Sequence, residues 1–213
     1  MTETQRIHFH FDPICPWAWI TSRWATHLEE VGELAIEWRL FSLGVANLAE
    51  GQDPPPNEPV GRSGTALQLL AHARRNGGNA AVGRLYTAMG EAAHVRGEDL
   101  TEAAVLDRAW SKAGLEDASR HEGDSDPGLW QDVLNEHRAA VNACQAFGVP
   151  TLILDGGDGP GIFGPILTEV PGGDESRELL QDVIRMTRRD YFFELKRDRE
   201  GHPPQTGPER RAV

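Results

Sequence analysis

The strongest constraint on this chain is a cysteine set between two opposite periodicities. Ile7, Phe9 and Phe11 alternate with His8 and His10, the period of two that predicts a strand, and Asp12-Pro13 ends it. Beyond Cys15-Pro16, the apolar residues Ile20, Trp24, Leu28 and Val31 recur at three- and four-residue spacings, which is one face of a helix closed by Gly32. Leu34–Leu43 alternates again and predicts a second strand, so the opening is a βαβ unit with Cys15 at its first turn. A cysteine there meets the unpaired N–H groups and dipole of a helix N-terminus, which stabilise a thiolate. Pro16 suits the first helical position, where no donor is missed.

The remaining chain completes a recognisable order. Gln52–Pro59 holds four prolines and predicts a loop. Helices are expected over Thr65–Arg75, Ala80–His94, Thr101–Ala113 (Thr101 as N-cap) and Gly128–Cys144, with no strand among them. Thr151–Leu154 then reads as a strand, Asp155–Gly161 as a glycine-rich turn, and Ile162-Phe163 as the start of the return strand. Asp174–Thr187 reads as a closing helix, and Tyr191–Lys196 either extends it or packs as a cap. The order β-α-β, helical insertion, β-β-α defines an α/β thioredoxin fold with an inserted all-helical subdomain. The expected boundaries are 1–50 and 146–197 for the thioredoxin-like part, 60–145 for the insertion and 198–213 for a flexible tail.

Composition narrows the function classes. A formal net charge of −12 disfavours nucleic acid and anionic lipid as partners. No apolar run approaches the roughly 18 residues of a membrane span, and Met1–His10 has no apolar core of a secretory signal, so a cytoplasmic protein is expected. Two cysteines in 213 residues make no disulfide framework, so cysteine chemistry here is catalytic or absent. His8 and His10 share a strand face without a third ligand, and no metal is expected. Gly156, Gly157, Gly159 and Gly161 lack a phosphate-loop lysine and read as a turn. A homodimer is compatible with the sequence.

A second motif completes the candidate site. Gly148-Val149-Pro150-Thr151 stands directly before the third strand, where this fold places a cis-proline opposite the cysteine. Val149 and Thr151 would offer backbone groups to an extended substrate. Trp17, Trp19, Asp12 and His10 are the other candidates for the groove, the two tryptophans as flat apolar surface beside the sulfur. A carboxylate at Asp12 would oppose thiolate formation, so no base role is assigned to it.

Several stretches resemble the DsbA-like branch of the thioredoxin superfamily, and more closely the actinobacterial mycothiol-dependent nitroreductases. They are Phe11-Asp12-Pro13-Ile14-Cys15-Pro16-Trp17, Trp19-Ile20-Thr21-Ser22-Arg23-Trp24, Leu85-Tyr86-Thr87-Ala88-Met89-Gly90, Gly148-Val149-Pro150-Thr151, Phe163-Gly164-Pro165-Ile166-Leu167 and Phe192-Phe193-Glu194-Leu195-Lys196-Arg197. The resemblance implies a thiol oxidoreductase with Cys15 as nucleophile, a small-molecule substrate, mycothiol as co-substrate and no tightly bound cofactor. The family's usual motif is Cys-Pro-Trp-Cys, whereas the fourth position here is Ala18. A second cysteine would resolve a mixed disulfide, and Ala18 lacks the sulfur to do so. Cys144 follows Leu129, Val133, His137 and Val141 on one helical face and is expected to be core.

Four readings stay open at this level. In one, a single-cysteine oxidoreductase is completed by a small thiol. In another, a cofactor-independent cis-trans isomerase in a biosynthetic pathway adds Cys15 reversibly to a conjugated alkene. The others are a binding protein that has lost catalysis, and an engineered Cys-to-Ala change.

Overall fold

A computed structural model describes residues 4–116, 119–123, 126–198, 200 and 204–206. Strand β1 (Gln5–Phe11) leads into helix α1 (Pro16–Glu30) and strand β2 (Leu34–Leu40). The short helix α2 (Leu43–Ala46) precedes the helical insertion, which comprises α3 (Gly64–Gly90), a π-helical turn (Glu91–Val95), α4 (Ala103–Lys112) and α5 (Pro127–Cys144). Strands β3 (Thr151–Leu154) and β4 (Gly161–Phe163) flank a 3₁₀ turn, and α6 (Gly173–Thr187) closes the fold. The sheet order is β2-β1-β3-β4, with β1 parallel to β2 and antiparallel to β3, and β3 antiparallel to β4.

Both sheet faces are covered. Phe11 and Trp38 meet Tyr86 of α3 and, through it, Trp19 of α1, while Phe9 meets Trp38; Phe11 and Tyr86 stack with ring centroids 3.8 Å apart. On this side Trp24 Nε1 donates to Ser176 O at 3.1 Å, which ties α1 to α6. The intervening residues of β1, His8 and His10, turn the other way, towards Ala139 and Ala143 of α5.

The outer edge of β2 is closed by side chains from three helices. Glu29 accepts from Ile36 N–H at 2.8 Å, and Asn79 both donates to Ile36 O and accepts from Trp38 N–H. Arg74 donates to Trp38 O, and Glu136 accepts from Leu40 N–H. A free strand edge would offer these groups to another chain; here α1, α3 and α5 satisfy them.

Several local expectations are corrected. β2 stops at Leu40, because Ser42 caps α2 by accepting from Val45 N–H at 3.1 Å. The helices expected over 65–75 and 80–94 are both present within α3, separated by a kink at Gly78, whose φ of 64° and ψ of −157° only glycine adopts readily, but the second leaves the α-helical course after Gly90 for the π-helical turn. Thr101 does not cap α4: Asp99 accepts from Thr101 N–H at 2.9 Å in a turn, and Glu102 is the N-cap. Val31 lies past the end of α1 and is 43% exposed. Tyr191–Lys196 neither extends α6 nor packs over the core, since Tyr191, Phe193 and Leu195 are exposed. Most of the expected tail, 199, 201–203 and 207–213, lies outside the described residues. Among the described residues no helix is long and apolar enough to cross a membrane.

Candidate active site

The turn between β1 and α1 is built on Asp12. Its backbone carbonyl accepts from Cys15 N–H at 3.0 Å, and its carboxylate accepts from Ile14 N–H at 3.1 Å. The other carboxylate oxygen accepts from Leu43 N–H and from Ser63 Oγ–H, both at 2.8 Å. Asp12 thus clamps the cysteine turn to α2 and to the first residue before α3. It is fully buried, and that burial raises its carboxyl from 3.8 to about 6, although the three hydrogen bonds pull the other way. Its buried carboxylate and backbone carbonyl support the turn that carries Cys15.

Cys15 is the N-cap of α1, with Pro16 in the first turn, as the strand–Cys–Pro–helix pattern anticipates. Ala18 N–H donates to Cys15 Sγ at 3.5 Å, and Sγ–H donates to Val149 O at the same distance. This arrangement supplies a backbone donor and a helix dipole to any negative charge on the sulfur. The Val149–Pro150 peptide bond is cis. Thr151 Oγ1 donates to Gly148 O at 2.8 Å, and Gly164 N–H donates to Pro150 O at 2.8 Å, so the loop is fixed from both sides. Cys15, Val149, Pro150 and Thr151 therefore come together across 134 residues of sequence.

Ala18 is completely buried behind the sulfur, and Trp17 is half-buried. Trp19 is placed differently from the flat substrate surface expected of it. It stacks on His94 at 5.8 Å, receives the Arg23 guanidinium 4.2 Å over its ring, and lies so close to Gly90 that a Cβ there would sit 2.2 Å from it. It is a packing residue that joins α1 to the insertion. His10 likewise faces α5 and lines a cavity whose walls do not include Cys15. Alternation fixed its face correctly, but that face is not the groove.

The structure adds residues that local patterns did not single out. His94, in the π-helical turn, bonds through Nε2 to Pro13 O at 2.8 Å, and burial lowers its basicity. Phe147, 67% exposed, stands beside Phe163 with ring centroids 4.6 Å apart, next to Gly148 and the Val149–Pro150 loop. The phenylalanine before Gly148 was the available signal for this exposed pair. His94 carried none, since its partner is 81 residues away. Cys144 is half-buried, donates to Ala140 O at 3.5 Å, and packs where a Cβ on Gly161 would lie 2.8 Å from its sulfur; burial pushes its thiol up.

A family described as "Rv2466c-like: Mycothiol-dependent nitroreductase Rv2466c" matches residues 14–197. The Mycobacterium tuberculosis protein Rv2286c, itself uncharacterized, is 32% identical over 191 residues, covering 90% of this chain and 81% of the relative. Among solved structures, the cytosolic disulfide reductase DsbM of Pseudomonas aeruginosa aligns with a TM-score of 0.57 and 20% identity, over 84% of this chain and 98% of that one. A 2-hydroxychromene-2-carboxylate isomerase aligns with a TM-score of 0.60 and 15% identity, over 84% and 94%. These likenesses establish the DsbA-like thioredoxin fold with its helical insertion.

Proposed function

The chain belongs to the Rv2466c-like family, and from that premise we propose that it is a thiol-dependent oxidoreductase in which Cys15 is the single nucleophile and mycothiol the reducing co-substrate. The observation that carries this reading is the setting of Cys15 Sγ, which receives Ala18 N–H and lies 3.5 Å from Val149 O, with no sulfur at position 18. Cys15 thiolate attacks one sulfur of a disulfide substrate, forms a mixed disulfide and expels the other sulfur as a thiolate. A mycothiol thiolate then attacks the mixed disulfide and releases Cys15 as thiolate. A second mycothiol reduces the resulting mixed small disulfide, so two thiols are oxidised for each disulfide reduced. Val149, Pro150 and Thr151 form the floor of the groove, and Phe147 with Phe163 offers an aromatic wall for a flat substrate. A reducing cytoplasm would keep Cys15 available as a thiol.

The test is intact-mass analysis of reduced protein incubated with oxidised mycothiol, with Cys15→Ser as control. One mycothiol added at Cys15, and removed by excess reduced mycothiol, is expected. Absence of that adduct on a protein whose Cys15 still alkylates, or full turnover by Cys15→Ser, would overturn the reading.

Ala18 also favours a second reading, cis-trans isomerisation of a conjugated alkene. Thiolate addition, bond rotation and elimination return the same sulfur and consume no reductant. Isomerisation in the absence of any added thiol distinguishes it from the redox cycle.

A further inference from the structure

The cysteine turn is held from the helical insertion as well as from Asp12. His94 stands in the π-helical turn Glu91–Val95, which directly follows α3, and its Nε2 lies 2.8 Å from Pro13 O. A carbonyl oxygen only accepts, so Nε2 carries the ring proton in this bond. Burial lowers the basicity of His94 by more than the bond to Pro13 O raises it. The ring is therefore neutral at pH 7, with its proton on Nε2 and none on Nδ1.

The same ring also reaches the chain beyond Cys15. It stacks on Trp19 with ring centroids 5.8 Å apart and planes 26° apart. Trp19 N–H in turn donates to Cys15 O at 3.0 Å, the first hydrogen bond of α1. One side chain thus touches the residue two before the cysteine and the residue four after it. The approach is built from both elements. Gly90 lets α3 come up against the Trp19 ring, and Arg23 lies over that ring while donating to Thr87 Oγ1 of α3 at 3.2 Å. The π-helical course is closed by Arg96 N–H donating to Glu91 O at 3.1 Å, and such turns are found most often at functional sites. Packing on Trp19 asks only for a ring. A donor aimed at Pro13 O serves the turn.

The Pro13–Ile14 peptide is fixed at both ends. Its oxygen accepts from His94, and its N–H, that of Ile14, donates to the Asp12 carboxylate at 3.1 Å. Without the His94 donor, Pro13 O is an unpaired acceptor and the peptide gains by turning towards water. That turn carries Cys15, whose sulfur accepts Ala18 N–H at 3.5 Å, so its displacement draws the sulfur off the helix N-terminus. We infer that His94 is a positioning residue for Cys15, its Nε2–H bond to Pro13 O holding the turn in which the sulfur meets α1. The inference rests on Cys15 being the reactive sulfur and holds equally for the redox and the isomerisation cycle.

The test is the rate of iodoacetamide alkylation at Cys15, resolved from Cys144 by peptide mass and followed from acid to alkaline pH. His94→Phe keeps a ring against Trp19 and removes the donor. His94→Gln removes the ring and keeps an amide N–H that can reach Pro13 O. Losing the bond to a charged sulfur lowers the thiolate fraction about tenfold, and the greater nucleophilicity of a more basic thiolate returns about threefold of that. His94→Phe should therefore alkylate roughly three- to tenfold more slowly at neutral pH, with its profile moved to higher pH, and His94→Gln should recover most of the loss. The charged groups around the junction are the same in every variant: Asp12 in the turn, Arg23 over Trp19, and Glu91 with Lys112 and Arg96. Urea unfolding establishes that each variant is folded. An unchanged rate in folded His94→Phe, or His94→Gln no faster than His94→Phe, would overturn the inference and leave His94 a packing residue. In the wild-type protein, ¹⁵N NMR of the His94 ring, assigned by its loss in His94→Gln, should show the Nε2-protonated tautomer at neutral pH; the Nδ1-protonated tautomer would overturn the inference whether or not His94→Phe folds. Wild-type Cys15 alkylating no faster than the same cysteine in the urea-unfolded chain would overturn the reading of Cys15 as nucleophile, and this inference with it.

Discussion

Asp12→Asn tests whether the support behind Cys15 is an ionised carboxylate held against its own desolvation. Because burial raises the Asp12 carboxyl from 3.8 to about 6, the folded state holds a proton that the unfolded chain has released anywhere between those values. Stability from this group is therefore fully present below 3.8 and falls as pH rises towards about 6. The loss totals about 3 kcal/mol once both states are ionised. Asparagine does not titrate, so the variant lacks this loss. It has a different cost, constant with pH. Ile14 N–H, Leu43 N–H and Ser63 Oγ–H all point at the carboxylate, and the amide NH₂ must face one of the backbone donors. That unsatisfied donor costs about 1–3 kcal/mol. The assay is urea unfolding of both proteins at two pH values, which cancels every other titrating group common to them. Between about pH 4.5 and about pH 7.5 the stability difference should move in favour of the variant by about 2 kcal/mol. A difference constant within about 0.5 kcal/mol would refute the reasoning, because Asp12 would then ionise in the folded protein as it does in the unfolded chain.

Gly90→Ala should destabilise the fold even though Gly90 has helical dihedrals, where alanine is ordinarily preferred by ~1 kcal/mol. The new methyl would meet Trp19 at 2.2 Å; overpacking by about 1–3 kcal/mol lowers the thermal midpoint by roughly 2–12 °C, and an unchanged or raised midpoint would contradict it. Ala18→Cys should let Cys15 close an internal disulfide on oxidation, read as a loss of two hydrogens by intact mass and as failure to accumulate the mycothiol adduct. Phe147→Ala should leave stability within about 0.5 kcal/mol, since the ring is exposed, while raising the KM for a flat aromatic substrate roughly two- to tenfold; an unchanged KM would remove Phe147 from the groove.

The frame was legible where local pattern and position coincide. Strand β1, the Cys15-Pro16 helix start and Val149-Pro150 before β3 each arise from a few adjacent residues. Periodicity also assigned His10 and its neighbours in β1 to the right faces of that strand. It did not reveal what covers those faces, because both sides of this sheet are roofed by helices. His10 therefore faces α5, and Trp19 faces Gly90 and His94. The closure of β2 was hidden for another reason. Asn79, Arg74 and Glu136 satisfy its edge from positions 36 to 96 residues away, and a polar residue on a helix gives no sign of which distant backbone group it will reach. Ser63 is the same case, a serine before a helix that bonds to Asp12 across 51 residues.

The distinction between backbone and side-chain contributions bears directly on Ala18. The donor that reaches Cys15 Sγ from this position is the peptide N–H, which any residue but proline supplies. The helix N-terminus that carries it begins with Pro16, whichever side chain stands at position 18. Replacing a second cysteine by alanine therefore removes the sulfur that would resolve a mixed disulfide but leaves the electrostatic support of the first sulfur in place. In the proposed redox cycle, resolution then depends on a thiol arriving from solution. Such a thiol must approach a cysteine that is only 6% exposed as a residue, beside the Val149–Pro150 loop and the Phe147–Phe163 pair. The side chains around that opening, rather than the pairing of two cysteines, would set which thiols and which substrates reach Cys15.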